Sequence, residues 1–255
     1  MAVMFSDIRG FTTASEKMSP KENFDFINEY LKLVSPVIQR NEGFIVKFLG
    51  DGMMAIFPYG ADTAIQAGIE KQKKIGEFND LLAQRGYPPV AVGIGVHAGH
   101  MMVGMVGEEQ RMQGDAFSDN VNLTSRIEGL NKFFGTSMIV SADTLQGLPQ
   151  ADAYKMRYLG QARVKGRQSP LVLYEVYQGL PEGIVALRDA SRADFERGIA
   201  LYTHGHFSGA QRAFDAVLDI DPQDKTARYY LERCFEWAEQ ITPPGWDGVL
   251  VMTDK

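Results

Sequence analysis

The chain has 255 residues, 45% hydrophobic and 23% charged, a balance that suits one sizeable core plus an appendage. Its net charge of −6 offers no global field for nucleic acid, so a polyanionic ligand would have to be met by local cations or metal ions. The lone cysteine, Cys234, excludes an internal disulfide and fits a reducing compartment, and no apolar run is long enough to span a bilayer.

Residues 2–6 read as a buried strand. Asp7 and Arg9 interrupt the apolar start, which excludes a signal-peptide layout. An opening directly in a strand suggests a piece of a longer polypeptide, any membrane anchor lying outside it. Residues 20–41 place Phe24, Ile27, Leu31, Val34 and Ile38 at helical spacing, with Ser19 as N-cap, Pro20 at the first helical position and Pro36 expected to kink the last turns. GFIVKFLGDGMMAIF, residues 43–57, is a hairpin around Asp51-Gly52. Residues 61–84 form an amphipathic helix, and 90–107 two glycine-rich strands that another element or a ligand approaches closely. Residues 119–132 are helical with Val121, Leu123, Ile127 and Leu130 on one side; 137–140 are a strand and 141–147 a helix capped by Ser141. The strands 154–160 and 171–177 flank a basic loop, ARVKGRQSP.

Hairpins interrupt the alternation of strands and helices, so residues 1–178 predict an α+β sandwich with a mainly antiparallel sheet. Residues 179–191, with Gly179, Pro181 and Gly183, read as a linker. Residues 192–240 carry only helical patterning, with a third helix at 224–239. There Gly198, Ala210, Phe214 and Pro222 resemble one tetratricopeptide repeat, with Tyr202, Phe207, Phe214, Val217 and Leu218 filling the seam; a generic helical hairpin is the alternative. One repeat buries its own face poorly, so it should dock on the first domain or on other repeats. Residues 241–255 are a polar, turn-rich tail anchored by a Trp.

Two aspartates draw attention. Asp7 follows a strand and Asp51 sits at a hairpin tip; if those strands are neighbours, both carboxylates converge at one edge, as hard oxygen ligands for Mg²⁺ or Mn²⁺ carrying phosphates. The backbone of Ile8, Arg9, Gly10, Phe11 and Thr12 offers N–H groups to a triphosphate. Taken alone, Asp-Gly in a hairpin is more often just a turn, and Asp7 a turn starter. No Ser-His-Asp set or reactive cysteine is visible, and His97, His100, His204 and His206 have no ligand-like grouping with cysteine.

Five stretches in order, FSDIRGFT, KFLGDGMMAIF, GIGVHAGHMMVGMVG, DNVNLTSRIEGL and VKGRQSPLVLYEVY, resemble the class III nucleotidyl cyclase catalytic domain over about residues 1–178. The resemblance implies a ferredoxin-like sandwich and conversion of ATP to 3′,5′-cyclic AMP and pyrophosphate, with two divalent cations, Mg²⁺ or Mn²⁺, at Asp7, Ile8 and Asp51. It further implies that Asn122 positions the ribose and Arg126 stabilises charge on the α-phosphate. Without the other motifs, Arg126 reads as a solvated helix residue paired with Asp119 or Glu128. Lys165 matches the lysine that contacts the terminal phosphates, although Arg163 and Arg167 share its loop. Lys47 and Asp115 match the adenine-reading pair: a donor for N1 and an acceptor for the 6-amino group, which guanine would mismatch. Ser118 departs from the glycine frequent in the family at that place.

The family's site lies between two catalytic domains, which implies a homodimer with two equivalent sites. In it the aspartates and Lys165 need not come from the same protomer as Asn122 and Arg126. The implied partners are ATP, a second copy and an upstream sensor or a protein met through the helical repeat, with no nucleic acid and no membrane contact by these residues. The implied setting is the cytoplasm, or the cytoplasmic part of a membrane-anchored protein. The competing readings are a guanylyl or dual-purine cyclase, and a silent scaffold acting through its helices.

Overall fold

The first apolar run becomes an inner strand of a large sheet. The computed structural model describes residues 1–11, 15, 16, 18–108, 111–146, 148–238 and 245–252. In chain order the elements are β1 (Ala2–Ile8), α1 (Pro20–Arg40), β2 (Phe44–Leu49), β3 (Gly52–Phe57), α2 (Ala61–Gln84), β4 (Val92–Ala98), β5 (Met102–Glu108), β6 (Arg111–Phe117), α3 (Asp119–Phe134), β7 (Met138–Ser141) and α4 (Ala142–Leu145). After a short 3₁₀ turn come β8 (Met156–Arg163), β9 (Leu171–Val176), α5 (Glu182–Thr203), α6 (Phe207–Ile220), α7 (Lys225–Ala238) and β10 (Leu250–Val251). No helix among the described residues is long and apolar enough to cross a membrane.

Eight strands form one sheet in the order β10-β8-β9-β7-β4-β1-β3-β2, and β5 and β6 form a separate ribbon. The pairing is mostly antiparallel; β4–β7 and β8–β10 are parallel. Alternation along β1 separates two faces. Ala2, Met4 and Ile8 pack with α1 and α2, whereas Val3 and Phe5 meet Ala116 of β6 and Val121 of α3. Asp7 therefore belongs to the face of α3, and Ser6 to the face of α2.

Glycines set how closely α3 approaches the sheet. A Cβ on Gly95 would fall 2.4 Å from the Glu128 backbone nitrogen, so the element that comes close to these glycine-rich strands is a helix. Ser118 caps α3 by accepting a hydrogen bond from the Val121 N–H, so the departure from glycine acts as a helix start. Pro36 lies inside α1 without ending it, and Phe24, read as part of that helix's apolar stripe, stays exposed. Ser141 makes no capping bond; its hydroxyl is engaged by His97 and Thr144, which makes His97 a structural residue.

Three expectations need correction. The segment 111–117, between the strands expected at 90–107 and the helix at 119–132 and expected to hold no element, is strand β6. Residues 182–191, read as linker, are the first turns of α5, because Pro181 and Gly183 flank a helix start, where proline is tolerated and Glu182 meets the positive end of the helix dipole. The tail, read as irregular, lays β10 beside β8.

The C-terminal helices dock on the large sheet and share its second core. Leu123, Ile127 and Phe134 of α3 and Leu159 and Leu173 of the sheet pack with Phe195, Tyr202, Phe214 and Tyr230. Gly198 lets α5 and α6 close, since a Cβ there would sit 2.7 Å from the Phe214 ring. Beneath lies a buried ionic network. Arg157, fully buried, bonds Glu175 (2.6 Å) and Asp224, and Arg188 bonds Asp221 and Asp224. The Arg157 guanidinium also sits 4.0 Å from the centre of the Phe195 ring. Such a network costs much to desolvate but more to leave half-broken, so it ties the helices to the sheet in one arrangement.

Candidate active site

Asp7 lies one residue before the end of β1, and Asp51 occupies the turn between β2 and β3. Because β1 pairs with β3, the turn is brought beside the end of β1. The Ile8 N–H donates to Asp51 Oδ2 at 3.1 Å, and the two aspartate carboxyls are hydrogen-bonded to each other. Gly52 permits this approach: a Cβ there would be 3.0 Å from Asp7 Oδ1. Asp7 is exposed by area, yet its neighbours crowd the carboxyl. Its pKa is raised to about 6, first by desolvation, then by the bond to Asp51 and its like charge, with Lys71 opposing.

These donors fit a hard divalent cation. The two carboxyls lie side by side as hard oxygen donors, and no cluster of three potential side-chain ligands occurs among the described residues. A cation held by Asp7 and Asp51 would therefore keep coordination places for phosphate oxygens and water.

Of the backbone donors expected for a triphosphate, the Ile8 N–H is used by Asp51 and the Arg9 N–H by the Ala91 carbonyl (2.8 Å). Gly10 has φ +65 and Phe11 is buried against Phe26; Thr12 lies outside the described residues. The Arg9 side chain turns inward, with Nε and Nη2 buried and unbonded, in the attractive field of Glu128 and Glu175. Glu128 is pushed up to about 7 by burial and by the charge of Asp7, against the pull of Arg9.

Lys47 and Asp115 meet. Lys47 stands at an irregularity of β2 and Asp115 in β6, opposite Gly104. Lys47 Nζ is 2.9 and 2.8 Å from the two Asp115 oxygens, and this bond draws the carboxyl below its ordinary range.

Asn122 and Arg126 are exposed on α3, one turn apart. Arg126 has no ion pair among the described residues; its guanidinium instead lies against Gly166, about where a Cβ would come within 3.5 Å. The loop of Lys165 thus belongs with Arg126 within one chain. Of the three basic residues there, Arg163 is committed to the loop itself, its Nε donating to the Gln168 carbonyl at 3.0 Å, whereas Lys165 is exposed.

One residue escaped the sequence reading. Lys71 of α2 is completely buried, donates to Ser6 Oγ at 2.5 Å and lies 5.8 Å from the centre of the Tyr30 ring. Burial lowers its pKa to about 7, with Asp7 countering. The available signal was a lysine on the apolar stripe that includes Ala64, Gly68 and Ile75.

Apolar surface surrounds the ribbon. Met102, Met105, Met112 and Phe117 are exposed, as are Phe44, Phe48 and Leu49 of β2. Contiguous apolar patches of this kind mark association surfaces.

Residues 1–177 match the family described as the adenylate and guanylate cyclase catalytic domain. An adenylate cyclase specific to terminal differentiation in Dictyostelium discoideum is 33% identical over 242 residues, 92% of this chain and 11% of that protein, so the similarity runs on through the C-terminal helices. The solved guanylyl cyclase Cya2 is 31% identical with a TM-score of 0.62, over 71% of this chain and 92% of that one. The adenylyl cyclase CyaB from P. aeruginosa is 30% identical with a TM-score of 0.62, over 69% and 92%. The chain spans 11 to 36% of the length of its first curated relatives.

Proposed function

The chain belongs to the adenylate and guanylate cyclase catalytic domain family, and on that premise we propose that it converts ATP to 3′,5′-cyclic AMP and pyrophosphate. The observation that carries the choice of ATP is the Lys47–Asp115 pair. A cationic donor and an anionic acceptor side by side complement N1 and the 6-amino group of adenine, and mismatch the donor N1 and acceptor O6 of guanine.

The reaction asks for positioning and charge neutralisation rather than a covalent catalyst. Asp7 and Asp51, with the carbonyl of Ile8, would hold two divalent cations, Mg²⁺ or Mn²⁺. Bound there, such ions would lower the pKa of the ribose 3′-hydroxyl and offset the triphosphate charge. Asn122 orients the ribose. Arg126 meets the charge growing on the α-phosphate, and Lys165 the terminal phosphates. The 3′-hydroxyl releases its proton to water, its oxygen bonds the α-phosphorus, and the bond from that phosphorus to the pyrophosphate oxygen breaks.

We assign the exposed apolar surface of β2, β5 and β6 to a second copy of the chain. In that arrangement Lys47, Asp115, Asn122, Arg126 and Lys165 of one protomer face Asp7 and Asp51 of its partner. The juxtaposition of Arg126 with the Lys165 loop supports placing those two on the same side. The three C-terminal helices are read as a tetratricopeptide-like unit.

A cyclase accepting both purines is the second reading, favoured by the comparable likeness to a guanylyl cyclase structure. Cyclic nucleotide output from ATP and GTP, with Mn²⁺ and across protein concentrations, tests both. Specific activity independent of concentration, or no cyclic AMP, would reject the proposal.

A further inference from the structure

The chain beyond the helices returns to the site. Trp246 donates its Nε1–H to the Tyr202 carbonyl (3.0 Å) and packs on Tyr202, Phe207 and Trp237. Two residues on, Gly248 (φ +66) passes so close to Thr203 that a Cβ would lie 2.6 Å from its Cα, so only glycine makes this bend. The chain then runs parallel to β8, Leu250 beside Ala162 and Val251 beside Arg163, and the Met252 N–H donates to the Arg163 carbonyl at 2.9 Å. Leu250 and Met252 are both buried in the second core. The path is therefore fixed at both ends and at its bend.

Arg163 is where this strand ends and the loop of Lys165 begins. Its carbonyl receives the tail, while its Nε closes the loop onto Gln168, and Nη2 lies 3.9 Å from Asp247 of the tail. Within the loop the Arg167 N–H donates to the Val164 carbonyl (3.1 Å), and Gly166 (φ +78) rests on the Arg126 guanidinium. Contacts thus run without a gap from the C-terminal strand through Arg163 to the turn bearing Lys165 and to Arg126.

We infer that the C-terminal strand and Arg163 position the phosphate-binding turn, holding Lys165 and Arg126 ready to meet the triphosphate together. A turn with a left-handed glycine and an exposed lysine would otherwise have to be ordered at each binding event. Here the folded tail supplies that order in advance. Arg163 touches no substrate in this scheme; it is a positioning residue. The inference rests on the proposed role of Lys165.

The test uses the full chain in three variants. Met252→Pro removes the N–H given to Arg163, Arg163→Met removes the bond to Gln168, and Met252→Leu keeps both. Hydrogen exchange at the Arg167 amide reads the turn directly, without reference to activity. The first two variants should raise that exchange about tenfold. They should also raise KM for ATP and the inhibition constant of pyrophosphate about fivefold, the equivalent of one hydrogen bond, through Lys165, and lower kcat severalfold through Arg126. Met252→Leu should behave as the parent. Should Met252→Pro not fold, the half-buried Arg163→Met carries the same readings. Unchanged exchange in Arg163→Met, or in a folded Met252→Pro, overturns the inference. Faster exchange with unaltered pyrophosphate inhibition overturns the link to phosphate, and with it the reading of Lys165. Absence of cyclase activity would sink the proposed function while the exchange data still decide the clamp.

Discussion

The ammonium of Lys47 lies 2.9 and 2.8 Å from the two carboxylate oxygens of Asp115, joining β2 of the large sheet to β6 of the small ribbon. Each holds the other in place before any base arrives. Lys47→Glu puts two carboxylates face to face and withdraws the donor for adenine N1. It should lower kcat/KM for ATP about a hundredfold and raise the ratio of GTP to ATP use. Competition between the two triphosphates measures this; an unchanged ratio would remove Lys47 from base recognition.

Asp51→Ala and Arg126→Ala should each abolish activity alone. Mixed in equal amounts they should recover about a quarter of the parent activity, because about half of the dimers are then mixed and each has one intact site. A mixture as silent as its components would show that the two residues serve the same site from one chain.

Asp7 titrates near 6 where a free aspartate has 3.8, so between those values the folded chain holds more protons than the unfolded one. Metal-free stability should therefore fall as pH rises from about 4 to 6, with Glu128 extending the loss towards 7. Asp7→Asn should raise metal-free stability at pH 8 by about 1 kcal/mol, a figure discounted for exposure. A divalent cation competes with the same proton, so Mn²⁺ affinity should climb through about pH 6 and then level off. Free Mn²⁺ followed by electron paramagnetic resonance at pH 5, 6 and 8 would reveal a flat response if the carboxyl pair is not the site.

Lys71 carries the opposite dependence. Its folded pKa near 7 lies below the ordinary 10.5, so the unfolded chain binds more protons in that interval and stability grows as pH rises through it. Lys71→Met should melt higher than the parent at pH 7 and lack the gain between pH 7 and 9. A parent melting temperature insensitive to pH over that range would contradict it.

Asp224 joins Arg157 and Arg188 with no exposure of its side chain. Asp224→Ala leaves both guanidinium groups undercompensated and should cost about 3–5 kcal/mol, read from urea unfolding. A loss below about 1 kcal/mol would mean that the network relaxes around the gap.

Much of this architecture was legible in the chain. The helix at Pro20–Arg40 announced itself through Ser19-Pro20, and the β2–β3 hairpin through Asp51-Gly52, because caps and tight turns are local chemistry. The Lys47–Asp115 contact spans 68 residues, which no periodicity registers; only likeness to a family pointed to it. Strand β6 was hidden because RMQGDAF is polar and glycine-bearing, and its ribbon carries exposed apolar side chains where a burial pattern would predict polar ones. The first turns of α5 were masked by Pro181 and Gly183, breakers that here precede or open a helix. Lys71 and Arg157 drew no reading at all, since their burial depends on partners far along the chain.

One border of the large sheet is finished by the C-terminal helices. The Tyr158 N–H reaches Glu196, the Leu159 carbonyl receives the Tyr230 hydroxyl, and β10 pairs with residues 162 and 163. Strip the chain back to residue 177 and those main-chain groups lose their partners along an open rim, beside a freshly bared wall of Leu159, Leu173 and Phe134. Such a fragment would be sticky, recruiting copies of itself rim to rim instead of forming the symmetric pair that the 255-residue chain is proposed to make.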